Sequence, residues 1–379
     1  MVTDGWVLAR ARVNIALIKY WGKAPAKSLD EVNLPAVPSL SLTLDGLHTD
    51  TLARFAPELD RDRIVLAGRE LEGEERARAV QLLDALRRRL DLASPFSIIS
   101  ENAVPTAAGL ASSASGMAAL AVACGRLAGL DPAVAADRTA LSELARIGSG
   151  SASRSIFGGW VAWDGPAARP LASPRNPAYR TAPGTGLDVA VVVAVVTRDR
   201  KPIGSRDGMN RTQRTSPYFA GWVEQAHATF HEALAAVEAQ DFPTLIHLME
   251  RSTWRMHASA MAADPPVFYW FPASLAVLSE VDAMKRDGIL CGATLDAGPN
   301  VKIFCRPDDA QTVALRLTTI PGVAHTILAA PGDGAVSRIL RLPDELDVRD
   351  RTDLSTLWDR LDVVGAPAEP LRPATGGAT

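Results

Sequence analysis

Apolar and polar positions change period several times along this chain, and each change marks a predicted element. Val7 to Ile18 alternates, with Arg10, Arg12 and Asn14 among Leu8, Ala11 and Val13, and reads as a strand that delivers the turn Lys19-Tyr20-Trp21-Gly22-Lys23 to one end of a sheet. Ser39 to Leu47 alternates up to Asp45-Gly46, a half-buried strand followed by a turn, and Thr49 to Phe55 and Arg63 to Leu66 read as further strands. From Glu74 to Leu92 the period becomes helical, with Val80, Leu82, Leu83, Leu86 and Leu90 on one side and arginines on the solvent side. Ser97 to Asn102 is a short strand that runs into Val104 to Leu120, a stretch of very small side chains.

A helix is predicted from Ala111 to about Leu127 and another from Pro132 to Arg146, followed by a Gly/Ser-rich loop over Ile147 to Trp160 with Arg154 embedded in it. Pro166, Pro170, Pro174, Pro177 and Pro183 mark a boundary between Asp164 and Gly186. Leu187 to Thr197 reads as a fully buried strand and Lys201 to Ser216 as a long polar loop, a plausible lid. Helices follow over Tyr218 to Ala239, Phe242 to Met261 and Pro272 to Asp287, then a break at Ala293 to Asn300, a strand at Val301 to Cys305, a helix at Asp308 to Leu317 and a strand at Val323 to Leu328. The expected division is 1–185, 186–364 and a disordered tail at 365–379.

Composition narrows the function classes. A chain of 379 residues, 47% hydrophobic and 22% charged, supports two joined globular domains. Its net charge of −3 with both signs interspersed gives no field for nucleic acid or an anionic membrane, so any anion must be held by a local cluster. Cys124, Cys291 and Cys305 lack metal spacing and read as buried thiols of a reducing compartment. Met1 to Trp6 has no basic-then-apolar leader and the longest apolar run, Val189 to Val196, is too short to span a bilayer, so a cytoplasmic protein without membrane partners is expected.

Three places carry candidate chemistry. Within Ala107, Ala108, Gly109, Leu110, Ala111, Ser112 and Ser113 only one side chain is larger than a hydroxymethyl, so backbone amides at a helix start can approach an anion closely, with serine hydroxyls beside them. Neither the Walker A spacing nor the dinucleotide fingerprint is present, and a buried Ala/Ser helix is the plain alternative. Lys19, Tyr20 and Lys23 cluster in one turn, against the alternative of a solvated surface with an incidental cation-π contact. Asp296 stands before Ala297-Gly298-Pro299-Asn300 at a strand end, where local turn bonding is the alternative, and His257 reads more readily as a packed histidine than as a catalyst.

Taken in order, Asn14 to Lys23 (Asn-Ile-Ala-Leu-Ile-Lys-Tyr-Trp-Gly-Lys), Pro105 to Ser113, Gly148 to Ser155, Met256-His257-Ala258 and Asp296 to Asn300 resemble the diphosphomevalonate decarboxylases, a branch of the GHMP kinase superfamily. The resemblance implies an α+β fold, with an N-terminal domain like ribosomal protein S5 domain 2, a C-terminal ferredoxin-like domain and the active site in the cleft between them. It implies ATP and Mg2+ as cofactors, mevalonate 5-diphosphate as substrate and a homodimer. By the same resemblance Asp296 is the catalytic base and Arg154 the carboxylate-orienting arginine, while Tyr20, Lys23, Ser149, Ser151, Ser205 and Arg206 hold the diphosphate, with Arg76 and Lys19 in support. ATP phosphates fall to Ala107 to Ser113, with Ser113 toward the metal and Ser112 not separable from it. Two positions depart from the family pattern: Val37-Pro38-Ser39 where Asn-Ser-Ser is usual, and Ser153 where Cys is common. The rival expectations are a mevalonate-type kinase that stops after phosphoryl transfer, a decarboxylase of 5-phosphomevalonate or of a 3,5-bisphosphate, and a catalytically silent scaffold.

Overall fold

The computed structural model describes residues 5–103, 112–171, 187–196, 203–340 and 354–364. The chain opens with β1 (Trp6–Ile18) and β2 (Ser39–Phe55), then β3 (Arg63–Leu66), β4 (Arg69–Glu70), α1 (Gly73–Leu90), β5 (Phe96–Asn102), α2 (Ser112–Leu127) and α3 (Ala135–Gly148). A 3-10 helix (Gly150–Ile156) leads to β6 (Trp160–Trp163) and β7 (Arg169–Pro170). The rest comprises β8 (Ala190–Val195), α4 (Ser205–Thr215), α5 (Phe219–Glu238), α6 (Phe242–Met261), α7 (Pro272–Arg286), β9 (Cys291–Leu295), β10 (Val301–Cys305), α8 (Ala310–Thr318), β11 (His325–Ala329), β12 (Val336–Leu340) and α9 (Leu354–Val364).

The larger sheet has the order β12-β1-β2-β5-β3-β4, with β6 and β7 branching from β2. Val7, Ala9 and Ala11 point to one face, where α1, α2 and α3 bury Leu82, Leu86, Val122 and Leu144. After a register shift between Arg12 and Asn14, Val13, Ile15 and Leu17 join Val191, Val193, Phe230 and Met249 in a core shared with the second sheet. That second sheet is antiparallel, in the order β11-β8-β10-β9. Its other face buries Val277, Val281 and Val313 from α7 and α8. One irregularity in the longest pairing thus turns a single strand from one core to the next, which places the end of β1 at the junction.

Several expectations change. The turn at Asp45-Gly46 is a bulge inside the continuous strand β2, with Gly46 at φ +76°. The polar stretch 201–216 contains the helix α4, whose buried face is only Gly208, Met209 and Thr212, too little apolar surface to register as a period. Half of the Gly/Ser loop after α3 is the 3-10 helix, and the start of the expected break at Ala293 to Asn300 belongs to the buried edge strand β9 (Cys291–Leu295). Residues 336–340 and 354–359, grouped by sequence with the second half, attach to the first sheet: β12 pairs with β1, and Leu354 and Trp358 pack on Leu8 and Leu52. The proline-rich stretch 172–186 and the tail after Gly365 lie outside the described residues. No helix among the described residues is long and apolar enough to cross a membrane.

Candidate active site

Asp296 follows the last residue of β9, and its two carboxylate oxygens face two buried ammonium groups. Lys19 Nζ donates to Oδ1 at 2.7 Å and Lys302 Nζ to Oδ2 at 3.1 Å. Lys19 is fixed in turn: its Nζ also donates to Ala16 O, and its backbone N–H donates to Ser252 Oγ on α6. Burial would raise the Asp296 pKa, but Lys19 and Lys302 outweigh it and hold the carboxyl far below its usual range. Burial lowers Lys19 to about 8 in spite of Asp296. His257 lies behind the carboxylate, 1% exposed and packed against Tyr269 and Trp270. Its Nε2 meets Leu295 O, which can only accept, so that nitrogen carries the proton and the ring is the packed, neutral histidine expected; burial lowers its pKa to about 3.

Arg154 leaves the 3-10 helix toward the same cleft. Its Nε donates to Asn14 Oδ1 at 3.1 Å and its Nη1 to Ser39 Oγ at 2.9 Å, while the guanidinium lies over the Trp163 ring. Asn14 is held by Ser155 Oγ and Ser151 O, so the second residue of that chain is as fixed as the first. The arginine is 2% exposed, yet no described carboxylate lies within ion-pair distance of it. Burial lowers its pKa to about 10, the charge of Asp296 acting in the opposite sense. A desolvated guanidinium with no anion in contact is costly, and an incoming carboxylate would relieve that cost.

Tyr20 packs against Trp163 in a tilted pair, ring centroids 4.7 Å apart and planes at 59°, and its buried hydroxyl has no hydrogen-bond partner among the described residues. Burial pushes its pKa up, so it remains a phenol. A Cβ on Gly150 would sit 2.6 Å from that hydroxyl, which explains the glycine before Ser151. Lys23 is lowered to about 8, by burial first and then by the positive charges of Arg206 and Arg78. Arg206 and Ser205 begin α4, which docks on the same turn through Gln213: its amide nitrogen donates to Lys23 O and its amide oxygen accepts from Lys23 N–H. Three cations thus crowd one region without a described carboxylate in contact, an arrangement suited to a ligand with several negative charges.

Ser149 caps α3 and, with Ser113 near the start of α2, lines a cavity whose other walls include Ile64, Leu66, Met117, Leu120 and Asn102. Its walls are mostly apolar, with Ser113 and Gly116 from the first turns of α2 among them, a lining compatible with a flat ring beside a polar helix start. The loop residues Ala107, Ala108, Gly109, Leu110 and Ala111 lie outside the described residues, and Ser112 is described only as the first residue of α2. Among the described residues no group of three or more His, Cys, Asp or Glu side chains could hold a metal ion.

One expected site residue is elsewhere. Arg76 donates to Asp62 O, whereas Arg78 lines the cavity and acts on Lys23 and Arg206. Two residues along a helix differ by about 200° in direction, so only one of the pair can face the cleft. Asn14 and Ser39, which hold Arg154, were legible only as motif neighbours; Ser39 belongs to the very triplet that departs from the family pattern. Lys302 had no signal beyond being a charge inside an apolar strand.

Two sheets share a core and a largely apolar slot lies beside the first turns of α2, the mixed α/β arrangement of the GHMP kinase fold that the solved structures below share. Residues 11–169 match the family described as diphosphomevalonate decarboxylase-like N-terminal domain, and 191–333 that described as mevalonate 5-diphosphate decarboxylase C-terminal domain. The diphosphomevalonate decarboxylase of Candida albicans is 37% identical over 356 residues, covering 87% of this chain and 94% of that one. The mevalonate diphosphate decarboxylase structure from Staphylococcus aureus superposes with a TM-score of 0.78 at 34% identity, covering 89% of this chain and 98% of that one. A complex of MDDEF with MVAPP, AMPPCP and magnesium gives the same TM-score, 0.78, at 35% identity over 89% of this chain and 99% of that one. The chain belongs to the diphosphomevalonate decarboxylase family.

Proposed function

We infer that this protein catalyses the ATP-dependent decarboxylation of mevalonate 5-diphosphate to isopentenyl diphosphate, releasing ADP, phosphate and CO2. The observation that carries this is the buried Arg154 guanidinium without a carboxylate in contact, electrostatically coupled to the ionised Asp296. A kinase that stops after phosphoryl transfer has no use for a desolvated cation placed to receive a second, departing carboxylate. The two domains of the reading, 1–185 and 186–364, are redrawn with 336–340 and 354–359 joined to the first, and in this reading they meet at the cleft.

The C3 hydroxyl is tertiary and crowded, so Asp296 orients it and takes its proton as the oxygen bonds to the γ-phosphorus and the β–γ bridging bond breaks to ADP. The C3–O bond then breaks with loss of phosphate, the electron pair of the bond from C2 to the carboxylate carbon becomes the C2–C3 double bond, and CO2 departs. Arg154 fixes the plane of the carboxylate; its hydrogen bonds to Asn14 and Ser39 leave it oriented rather than clamping, which suits a group that must leave neutral. Lys23, Arg206 and Arg78, with the Tyr20 hydroxyl and Ser149, Ser151 and Ser205, receive the diphosphate. The slot beside Ser113 takes the nucleotide. The serine hydroxyl near the α2 N-terminus suits a hard cation that takes most of its oxygens from phosphates, so Mg2+ would be held there and would neutralise phosphate charge.

The crowding of Lys23 by Arg206 and Arg78 favours the diphosphate over the 5-monophosphate. A cytoplasmic homodimer completes the reading, and sedimentation tests the dimer. The deciding experiment incubates the protein with ATP, Mg2+ and each of mevalonate, its 5-phosphate and its 5-diphosphate, and follows ADP, phosphate and CO2. Stoichiometric ADP, phosphate and CO2 from the 5-diphosphate is the expected result. ADP without CO2 would make it a kinase, and CO2 from the monophosphate alone would replace the substrate.

A further inference from the structure

We propose that Lys302 is a positioning residue for the reaction: with Lys19 it holds Asp296 as an immobile carboxylate aimed at the substrate hydroxyl. This rests on the assignment of Asp296 as the group that meets that hydroxyl.

Lys302 occupies a position that strand periodicity assigns to an apolar side chain. Along β10, Val301, Ile303 and Cys305 fill the core toward α7 and α8, while Phe304 fills the core toward α6. Lys302 shares the Phe304 face, opposite Val193 on β8 and Thr294 on β9, and is 1% exposed. A lysine costs stability in such a place, and this one is directed to a single anion, Asp296 Oδ2. Thr294 on the same face is tied to Thr253 of α6 by a hydroxyl pair at 2.9 Å, so the strand end that carries Asp296 is anchored from the helix side as well.

Lys302 is thereby distinguished from Lys19. Lys19 stands at the end of β1, in the turn that also carries Tyr20 and Lys23, whereas Lys302 reaches the carboxylate from the sheet interior. The carboxylate is 28% exposed and Lys302 is 1% exposed, so the lysine stands behind the carboxylate and does not present itself to solvent. The other charged or titratable groups acting there are Lys19, Arg154 and the neutral His257. Lys302 supplies two things: a second tether that fixes the carboxylate plane, and a cation that keeps the carboxylate ionised before substrate binds.

The test compares Lys302→Met, Lys302→Gln and Lys302→Arg with the unaltered chain, each first checked for a native circular dichroism spectrum. Gln keeps a donor without the charge and stands in if Met does not fold. The expected result is a kcat at least a hundredfold lower for Met and Gln, KM for both substrates within about threefold, an acid limb of kcat shifted upward by at least one pH unit, and partial recovery in Arg. A folded Met or Gln variant with kcat within about threefold of the unaltered chain, or a lowered kcat with an unmoved pH profile, overturns the proposal. Asp296→Asn measured in parallel separates the two levels. Full activity in Asp296→Asn would remove the assignment beneath the proposal, whereas an inactive Asp296→Asn beside an active Lys302→Met would remove the proposal alone.

Discussion

Replacing Arg154 by lysine keeps the charge and removes the planar fork, which makes it the sharpest perturbation of the decarboxylation half of the reaction. The guanidinium spends Nε on Asn14 and Nη1 on Ser39, at 3.1 and 2.9 Å, and the Trp163 ring fixes its plane. An ammonium on a flexible stem cannot satisfy both acceptors and still present two parallel donors to a carboxylate. Loss of one charge-assisted hydrogen bond is worth about 1.5–3 kcal/mol. If that loss falls on the transition state, at 1.36 kcal/mol per tenfold the rate of CO2 release drops by about one to two orders of magnitude. Phosphoryl transfer, at the Asp296 side, suffers less, so ADP should outrun CO2 while the phosphorylated intermediate accumulates. Timed quenching with parallel measurement of ADP and CO2 reads both. A folded variant that releases CO2 at more than a third of the original rate, with ADP and CO2 still equal, would refute the orienting role.

Four further outcomes follow from the structure. Because burial, Arg206 and Arg78 bring Lys23 to about 8, it loses its charge above that pH, and KM for the diphosphate substrate should climb between pH 8 and 9.5; Arg78→Gln should move the climb to higher pH. The same depressed value means that the folded, ligand-free protein binds fewer protons than the unfolded chain between about 8 and 10.5, so in calorimetry this group adds stability as the pH rises through that window and opposes folding below it. Gly150→Ala would place a Cβ 2.6 Å from the Tyr20 hydroxyl, an overpacking worth about 1–3 kcal/mol; steady-state kinetics should give a several-fold higher substrate KM with little change in the KM for ATP, and an unchanged substrate KM would count against Tyr20 as a ligand. Trp358→Ala removes a ring held between Arg10 and Arg338, at 4.7 and 4.6 Å, for about 3–5 kcal/mol; Tm should drop by several degrees with kcat intact, and an unshifted Tm would mean that α9 contributes nothing to the fold.

Legibility in the sequence tracked how local each signal is. Long alternations such as Val7 to Ile18 and helical runs such as Phe242 to Met261 correspond to β1 and α6, because burial of one face leaves a periodic record. The α4 helix left almost none, since its buried face is a glycine, a methionine and a threonine and its docking depends on Gln213 meeting a turn 190 residues earlier. Asp296 and Arg154 were marked by unusual chemistry in small-residue surroundings. Their partners Lys302 and Ser39 were not, because a hydrogen bond across the fold has no sequence period. Arg78 had no signal of its own for a related reason: nothing in a run of arginines says which one the helix turns inward.

Pairing of β12 with β1 joins Trp6 to Leu340 and Arg10 to Val336, so the outermost rung of the first sheet is added by a strand made long after β1 has left the ribosome. Until then a nascent chain presents a long, unpaired strand border that other polypeptides can template on. A gene trimmed after residue 333, where the second family match stops, would leave that border permanently open. Such a product should collect in inclusion bodies even though every catalytic side chain is still encoded, and supplying 334–364 as a separate peptide during refolding should rescue it.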